Sequence, residues 1–427
     1  MDSLATPGGA YKNLPVVYFR PGAAGFLSIH SYLPFAAFYF FLNHAGLPSG
    51  LFYSTIFSPV LFLWLYLKGY RSLTAKLILF LSPFILAHLV MGVESPVYYL
   101  RSIALLWTAY ITAYALCVAL LRGRNIDRLL DELILLNFGA SIIALAIRPT
   151  PLQSLLWMDT GETIAGTPHL LRLNLFTHEP SAYAELMLPL LVFSILRLLR
   201  NSSVKNTLYF MMIALPFLLS QSFGGISICL AGVGVAVMAG HRRLLRRSKS
   251  LLVFISLAVG VCAMLLIPNP ISQRVLQVVT GGDSSAQSRT TLSFVVAYTV
   301  ASSKSLLWGV GFGQGKVIDV SDAGIGFTVG IIPNAIAGIF AELGVIGVLA
   351  VFAGELYLFF RTKVYRNSFR LAMFIVAFAT QLTGSYSVDV QEYLMWCFAF
   401  LPFFPDLNLL DDTPREIRNP RSRGVRD

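Results

Sequence analysis

The residues best suited to chemistry lie in a polar stretch at positions 172–185, which reads Arg-Leu-Asn-Leu-Phe-Thr-His-Glu-Pro-Ser-Ala-Tyr-Ala-Glu. Pro180 suits the first position of a helix, because a residue there has no intrahelical partner for its N–H. Glu179 then precedes the helix, whose positive end keeps its carboxylate ionised. Arg172 and His178 lie just upstream. An alternative is that the stretch only caps the helix while Arg172 extends towards the membrane surface.

A second group of candidate residues lies around a glycine-rich stretch further along the chain. A Ser-Arg pair ending at Arg289 comes first, and residues 308–315, Trp-Gly-Val-Gly-Phe-Gly-Gln-Gly, follow. Glycines let backbone amides approach an anion closely, so we predict that Gly311, Gly313 and Gln314 contact a negatively charged group. A flexible re-entrant turn is the alternative. The stretch is not predicted to bind a nucleotide, because no βαβ unit surrounds it.

The apolar segment that follows contains two polar residues, Asn334 at its beginning and Glu342 within it. An ionised side chain at the centre of a bilayer costs about 2.5–3.5 kcal/mol, so Glu342 is expected to face the interior of the protein. Gly344 and Gly347 permit close packing between helices.

The elements that must position these residues are membrane-spanning helices. Of the 427 residues, 56% are hydrophobic and only 12% are charged. Soluble domains contain about 25% charged residues, so this chain could not cover its apolar surface as a soluble enzyme. The sequence predicts an all-α, polytopic integral membrane protein.

Apolar segments predict twelve membrane-spanning helices, each of which needs about 20 mostly apolar residues. The segments are 24–43, 51–67, 74–92, 99–121, 130–147, 181–199, 206–220, 223–240, 250–267, 333–360, 371–387 and 391–404. Basic residues cluster in alternate connections, as the positive-inside rule describes for cytoplasmic loops. Both termini are therefore predicted to be cytoplasmic. The same clusters account for the net charge of +11, so nucleic-acid binding is not predicted.

Two connections on the predicted outer side, at about 148–180 and 268–332, are much longer than the others. Long loops in compact proteins are usually functional, and these two contain most of the candidate residues. Within the second, Leu292–Val300 is too short to cross a membrane and is predicted to be an amphipathic helix in the outer interface. A single helical domain is expected over 1–410, followed by a disordered basic cytoplasmic tail over 411–427.

Four cysteines fall within predicted spans, none of them in a C-x-x-C pair. They are Cys117, Cys229, Cys262 and Cys397. Neither a disulfide framework nor a zinc site follows from this spacing, so they are predicted to be small residues of the core.

Taken in order, these motifs resemble the Wzy-type O-antigen polymerase and O-antigen ligase family. Four matches between residues 172 and 347 carry the resemblance: the stretch from Arg172 to Ser181, the Ser-Arg pair, the glycine-rich stretch and the run from Asn334 to Gly347. The Glu-Pro-Ser block at the start of a span is the most specific of the four. Pro333 stands where ligases typically carry a His, which favours a polymerase over a ligase.

The resemblance implies a GT-C-like fold and a reaction at the periplasmic face of the bacterial inner membrane. Donor and acceptor would both be glycans linked to undecaprenyl diphosphate, and the growing glycan would pass to the acceptor with release of undecaprenyl diphosphate. The product would be an O-antigen of lipopolysaccharide, a capsule or an exopolysaccharide. The expected partners are membrane lipid, a chain-length regulator and a flippase.

For this reaction we predict that Arg172 and Arg289 clamp the diphosphate, because guanidinium groups make bidentate contacts with phosphate oxygens. The loop residues Gly311, Gly313 and Gln314 would add contacts to the same diphosphate. Glu179, or otherwise His178, would act as the base towards the acceptor hydroxyl.

Asn334 and Glu342 are expected to orient the substrate. Neither long loop contains an Asp-x-Asp motif, so transfer is predicted to need no metal or other cofactor. The alternatives are an O-antigen ligase-type transferase, a polysaccharide flippase or other transporter, and a binding or scaffold protein. The sequence shows no internal repeat, which disfavours a transporter built from inverted repeats.

Overall fold

A computed structural model describes the chain over most of its predicted spans. The described residues are 46–47, 51–122, 126–159, 171–175, 177, 179–240, 272, 276, 280, 287–318, 332–384 and 390–400. They are mostly helical, as in an all-α membrane protein. The predicted tail at 411–427 lies outside the described residues.

Helices lie on ten of the twelve predicted spans, and the other two, 24–43 and 250–267, lie outside the described residues. The described helices are α1 (Tyr53–Leu67), α2 (Leu73–Met91), α3 (Pro96–Arg122), α4 (Ile126–Ile147), α5 (Pro180–Arg200), α6 (Val204–Ser220), α7 (Phe223–Ala239), α8 (Ser293–Ser302), α9 (Ala335–Arg361), α10 (Ser368–Gln381) and α11 (Val390–Phe400). By length and composition, α2, α3, α4, α5 and α9 could each cross a membrane. That the shorter helices also cross stays a prediction.

Two short hairpins accompany the helices. The first pairs β1 (Gly46–Leu47) with β2 (Leu51–Phe52), and the second pairs β3 (Trp157–Asp159) with β4 (Leu171–Leu173), both antiparallel. The second hairpin gives regular structure to two parts of the first long loop, for which the sequence predicted none, and places Arg172 opposite Met158. The Trp157 indole N–H donates to the carbonyl of Ala144 in α4 at 2.8 Å, which fastens the hairpin to the bundle.

Helix α5 lies at the centre of the described bundle and packs against α4, α6, α7 and α10. Its apolar residues surround the whole helix, and 89% of its apolar window is buried, as expected of a helix without a polar face. At its end, Arg197 Nη1 donates to Asp131 Oδ1 of α4 at 2.5 Å. Because α5 is packed on all sides, the residues at its start, including Glu179, are held in place relative to the bundle.

The segment predicted as one continuous span over 333–360 is interrupted at Gly344, whose φ is +67° and ψ −167°. Asn334 donates to the carbonyl of Leu382, and Glu355 accepts from the side chain of Gln381. Gln381 and Leu382 are adjacent in the chain. These bonds keep Asn334 and Glu355 within roughly 25 Å, whereas a straight helix would separate them by roughly 30 Å. Helix α9 is therefore two halves set at an angle.

The helix predicted to lie in the outer interface is present as α8. Its Val296, Ala297 and Val300 pack against Ala337 and Ala341 in the first half of α9. The opposite face is exposed, as an interfacial helix requires. Its position relative to a membrane stays a prediction.

The prediction that the cysteines are unpaired is wrong for two of them. Cys117 of α3 and Cys397 of α11 form a disulfide, with their Cα atoms 6.1 Å apart. Cys229 is a buried free cysteine, as predicted, and Cys262 lies outside the described residues. Because 280 residues separate the bonded pair, their spacing could not indicate the contact.

Candidate functional site

A tight turn delivers the candidate carboxylate to the start of α5. The Asn174 amide donates to the Thr177 carbonyl at 2.8 Å, and the Thr177 hydroxyl is within hydrogen-bond distance of the carbonyls of Asn174 (2.7 Å) and Glu179 (2.9 Å). Within this turn, between Asn174 and Thr177, Leu175 has a φ of +44°, which is uncommon for residues other than glycine. Such conformations cluster at functional sites, where the surroundings hold them.

Glu179 occupies the position immediately before α5, as predicted from Pro180. Its carboxylate makes no capping bond to the helix amides, so the alternative in which this side chain only caps the helix does not describe it. Instead the Ser181 hydroxyl donates to Oε1 of the carboxylate. The side chain is half-buried. His178, the second candidate base, lies outside the described residues.

Arg172 lies on the same chain segment, in strand β4. Its Nε donates to the carbonyl of Ser220, the last residue of α6, at 3.0 Å. The bond anchors the half-buried guanidinium at the end of α6, next to the turn at Gln221 that leads into α7. The hairpin and α5 therefore bring Arg172 and Glu179 to the same end of the described bundle.

Asn334 joins three separate parts of the chain at the start of α9. Its Oδ1 accepts from the Ala337 N–H at 3.0 Å, which caps the helix. Its Nδ2 donates to the carbonyls of Arg289 at 2.8 Å and Leu382 at 2.9 Å. The amide is buried and both of its donors are used, so its predicted effect on the substrate would act through the position of Arg289.

Substitutions at Asn334 are expected to separate these contributions. Asn334→Asp keeps the capping acceptor but loses both donors, and should lower the free energy of unfolding by about 1–3 kcal/mol. Asn334→Ala also loses the cap and should lower it by about 2–4 kcal/mol. The folded fraction after heating in detergent measures both effects. An aspartate variant as stable as the wild type would contradict a stabilising role for the bonds to Arg289 and Leu382.

The glycine-rich stretch completes the interrupted helix α9. The N–H groups of Val310 and Gly311 donate to the carbonyls of Ala341 and Glu342, both at 3.0 Å. In return, the Val345 N–H donates to the Leu306 carbonyl at 2.9 Å, and the next amide to that of Leu307 at 3.1 Å. Backbone groups freed in a membrane helix need such partners. The stretch is therefore held against α9 by backbone bonds, and whether it re-enters the membrane as a turn stays a prediction.

The three loop residues predicted to bind diphosphate have protein partners. Gln314 is fully buried, and its side chain bonds both the N–H and the carbonyl of Ser95, each at 2.9 Å. The Gly313 amide faces the carboxylate of Glu342, and the Gly311 amide is used by α9. These contacts account for the glycine-rich stretch without a ligand, and its binding to diphosphate stays a prediction.

The sequence did not indicate a role for His88, a buried residue that contacts the start of the glycine-rich stretch. His88 of α2 lies 3.1 Å from the Tyr99 hydroxyl through Nδ1 and 2.9 Å from the Trp308 carbonyl through Nε2. Nearby, Lys304 Nζ donates to the Gly92 carbonyl at 2.9 Å and pairs with Glu94 at 3.1 Å. The second long loop is thus fastened to the α2–α3 connection. The only signal was a single histidine in an apolar segment.

The two groups of candidate residues connect through α10 and α11. Asn334 bonds to the residue that follows α10, and α10 packs on α11. At the start of α11, Gln391 Nε2 lies 3.5 Å from both the Ala182 carbonyl and Glu185 Oε2 of α5. Each of these contacts joins helix ends that the charge pattern assigns to the outer side. A direct clamp between Arg172 and Arg289 stays a prediction.

Metal coordination finds no support in the described part of the chain. There, no three His, Cys, Asp or Glu side chains are grouped so that they could hold a metal ion. His178 and much of both long loops fall outside that part.

Comparisons with known proteins assign no family to the chain. Neither a scan against protein-family models nor a search of curated proteins found a significant match. A function therefore has to follow from the residues themselves and their contacts.

Proposed function

We propose that this protein is a membrane glycosyltransferase that polymerises lipid-linked glycan repeat units. One observation carries the proposal: the Glu179 carboxylate stands at the start of the buried helix α5, held by Ser181 and not used for capping. Arg172 is anchored on the same segment, so a base and a cation flank one helix end. The resemblance to the O-antigen polymerase and ligase family assigns catalysis to the same residues.

In the proposed reaction, an acceptor hydroxyl attacks the anomeric carbon of the donor glycan. The new glycosidic bond forms as the bond between that carbon and the diphosphate oxygen breaks. Glu179 takes the proton of the hydroxyl, and undecaprenyl diphosphate leaves with its negative charge stabilised by Arg172 and Arg289. Guanidinium groups suit this task because the charge on the leaving oxygen grows during the step.

A transporter is the second candidate, because α9 is discontinuous and transporters often bind substrates at broken helices. In such sites the unwound backbone faces the substrate or ion. Here four backbone groups at the break bond to residues 306–311. This favours the transferase.

Purified protein in liposomes that contain undecaprenyl-diphosphate-linked repeat units tests the proposal. A polymerase should convert the repeat units into a ladder of longer glycans and release undecaprenyl diphosphate. A single conjugate, formed only when a lipid A core is added, would indicate a ligase. Movement of the lipid across the bilayer without covalent change would indicate a transporter, and either outcome would overturn the proposal.

Arg172→Lys and Arg289→Lys should each slow polymer formation by about 10- to 100-fold, because lysine keeps the charge but loses the bidentate contact. The initial rate of polymer formation is the measurement. Arg128→Lys is the matched control, since this arginine pairs with Glu132 on the exposed surface of α4. Wild-type rates in both variants would mean that the two arginines do not bind the diphosphate.

A further inference from the structure

A cavity opens between helix ends far from the candidate active site. Its volume is about 400 Å³, and it lies where α4 begins, α5 ends and α6 begins. The lining residues are Asp127, Phe193, Arg197, Arg200, Asn201, Ser203, Lys205 and Asn206. The charge pattern assigns these ends to the cytoplasmic side.

The cavity has a surplus of positive charge. Arg197 pairs with Asp131 at 2.5 Å and lies over the rings of Phe193 and Tyr209, 5.6 Å from each centroid, so it is held in place. Arg200 and Lys205 are exposed at the rim, and Lys205 lies 5.8 Å from the Tyr209 ring centroid. Three cations against Asp127 and Asp131 leave a net charge of +1. Arginine and lysine side chains bind phosphate oxygens through charge-assisted hydrogen bonds.

An exposed apolar stripe leads away from the cavity along α6. It consists of Val204, Leu208, Met211, Leu215 and Leu218, spaced as neighbours on one helix face. Val204, beside Lys205, is 88% exposed. Because α5 is about 31 Å long, close to the hydrocarbon thickness, we expect its last turn to lie level with the lipid headgroups. A soluble phosphate would use the cations but not the stripe.

We propose that this cavity binds the phosphate of an anionic phospholipid headgroup, whose acyl chain lies along the exposed stripe of α6. The phosphate contacts Arg200 and Lys205 at the rim, while Arg197 supplies a fixed positive charge behind them. Basic pockets between membrane helices on the cytoplasmic side bind lipid headgroups in this way. The site is separate from the proposed transferase centre and does not depend on it.

Lipid binding to the full-length protein in detergent, measured by native mass spectrometry, tests this assignment. Phosphatidylglycerol should bind the wild type at least about tenfold more tightly than phosphatidylcholine. Replacing Arg200 and Lys205 together by glutamine should weaken phosphatidylglycerol binding by about tenfold or more, since two charge-assisted contacts are lost. Lys205→Glu, at an exposed position, should have the same effect if the double variant fails to fold.

The double variant Arg361→Gln/Arg366→Gln is the matched control. It removes the same charge from exposed positions on the same predicted side but outside the cavity, and should retain the preference for phosphatidylglycerol. If the control loses as much phosphatidylglycerol binding as the Arg200/Lys205 double variant, the binding depends on overall surface charge and not on the cavity. That result would overturn the proposal. Equal binding of phosphatidylcholine would overturn it too. Displacement of the lipid by an equal concentration of soluble glycerol phosphate would assign the cavity to a soluble phosphate instead.

Discussion

Glu179→Gln is expected to slow polymer formation by about 10²–10⁴-fold, the usual contribution of a general base, without lowering the amount of folded protein. The glutamine is nearly isosteric and can still accept the hydrogen bond from Ser181, so the turn before α5 should survive. It cannot take a proton from the acceptor hydroxyl. Chain-length distribution and initial rate, measured with purified protein in liposomes, provide the two readouts.

Glu132→Gln is the control for this variant, because Glu132 is a carboxylate on α4 that pairs with the partly exposed Arg128. It should leave the rate unchanged, since exposed ion pairs contribute little. If both variants polymerise at the wild-type rate, Glu179 is not the base. If Glu179→Gln instead loses folded protein, Ser181→Ala keeps the carboxylate and tests whether its position matters.

Gly344→Ala should have the largest effect on the fold, lowering the free energy of unfolding by more than about 3 kcal/mol. Its φ of +67° with ψ of −167° belongs to a region that essentially only glycine adopts. A Cβ atom there would also lie 2.3 Å from the carbonyl of Leu307 and 2.6 Å from the Gly309 nitrogen. Both contacts are with backbone, which cannot rotate aside.

The same helix offers a matched control in Gly354, around which a Cβ atom would meet nothing within 4 Å. Gly354→Ala should be neutral or stabilise by up to about 1 kcal/mol, the difference in helix propensity. The yield of folded protein and its resistance to heating in detergent distinguish the two variants. Equal stability would show that the interruption of α9 is not required.

Hydropathy predicted the helices well because a membrane span must be apolar over most of its length. The predicted segments 74–92 and 181–199 differ from Leu73–Met91 and Pro180–Arg200 by only one residue at each end. Pro180 fixed the start of α5, and with it the place of Glu179, through a local rule for the first turn of a helix.

The features that the sequence did not predict depend on contacts between distant residues. The sequence around Gly344 stays apolar, so hydropathy does not reveal that the helix is broken there. The backbone groups that the break leaves free bond to residues 306–311. His88 bonds to Trp308, which is 220 residues away in the chain, and Gln314 bonds to Ser95, which is 219 residues away. A single sequence gives no signal for such pairs, and the same holds for the Cys117–Cys397 disulfide.

The candidate site also has features that the sequence predicted and features that it did not. The types and order of its residues follow from the chain, whereas their support does not. The Asn174–Thr177 turn, with its left-handed Leu175, depends on side-chain bonds that the sequence of this segment did not predict. The link from Asn334 to Leu382 joins two helices whose relative placement no local rule predicts.

The interlocking of residues 306–311 with α9 also bears on how the protein is made. A nascent chain leaves the ribosome from its N-terminus, so these residues are synthesised before Gly344. The donors and acceptors that pair with the break are therefore already present in the chain when the second half of α9 is synthesised. That half can satisfy its freed peptide groups as soon as it forms, which a helix in a membrane requires.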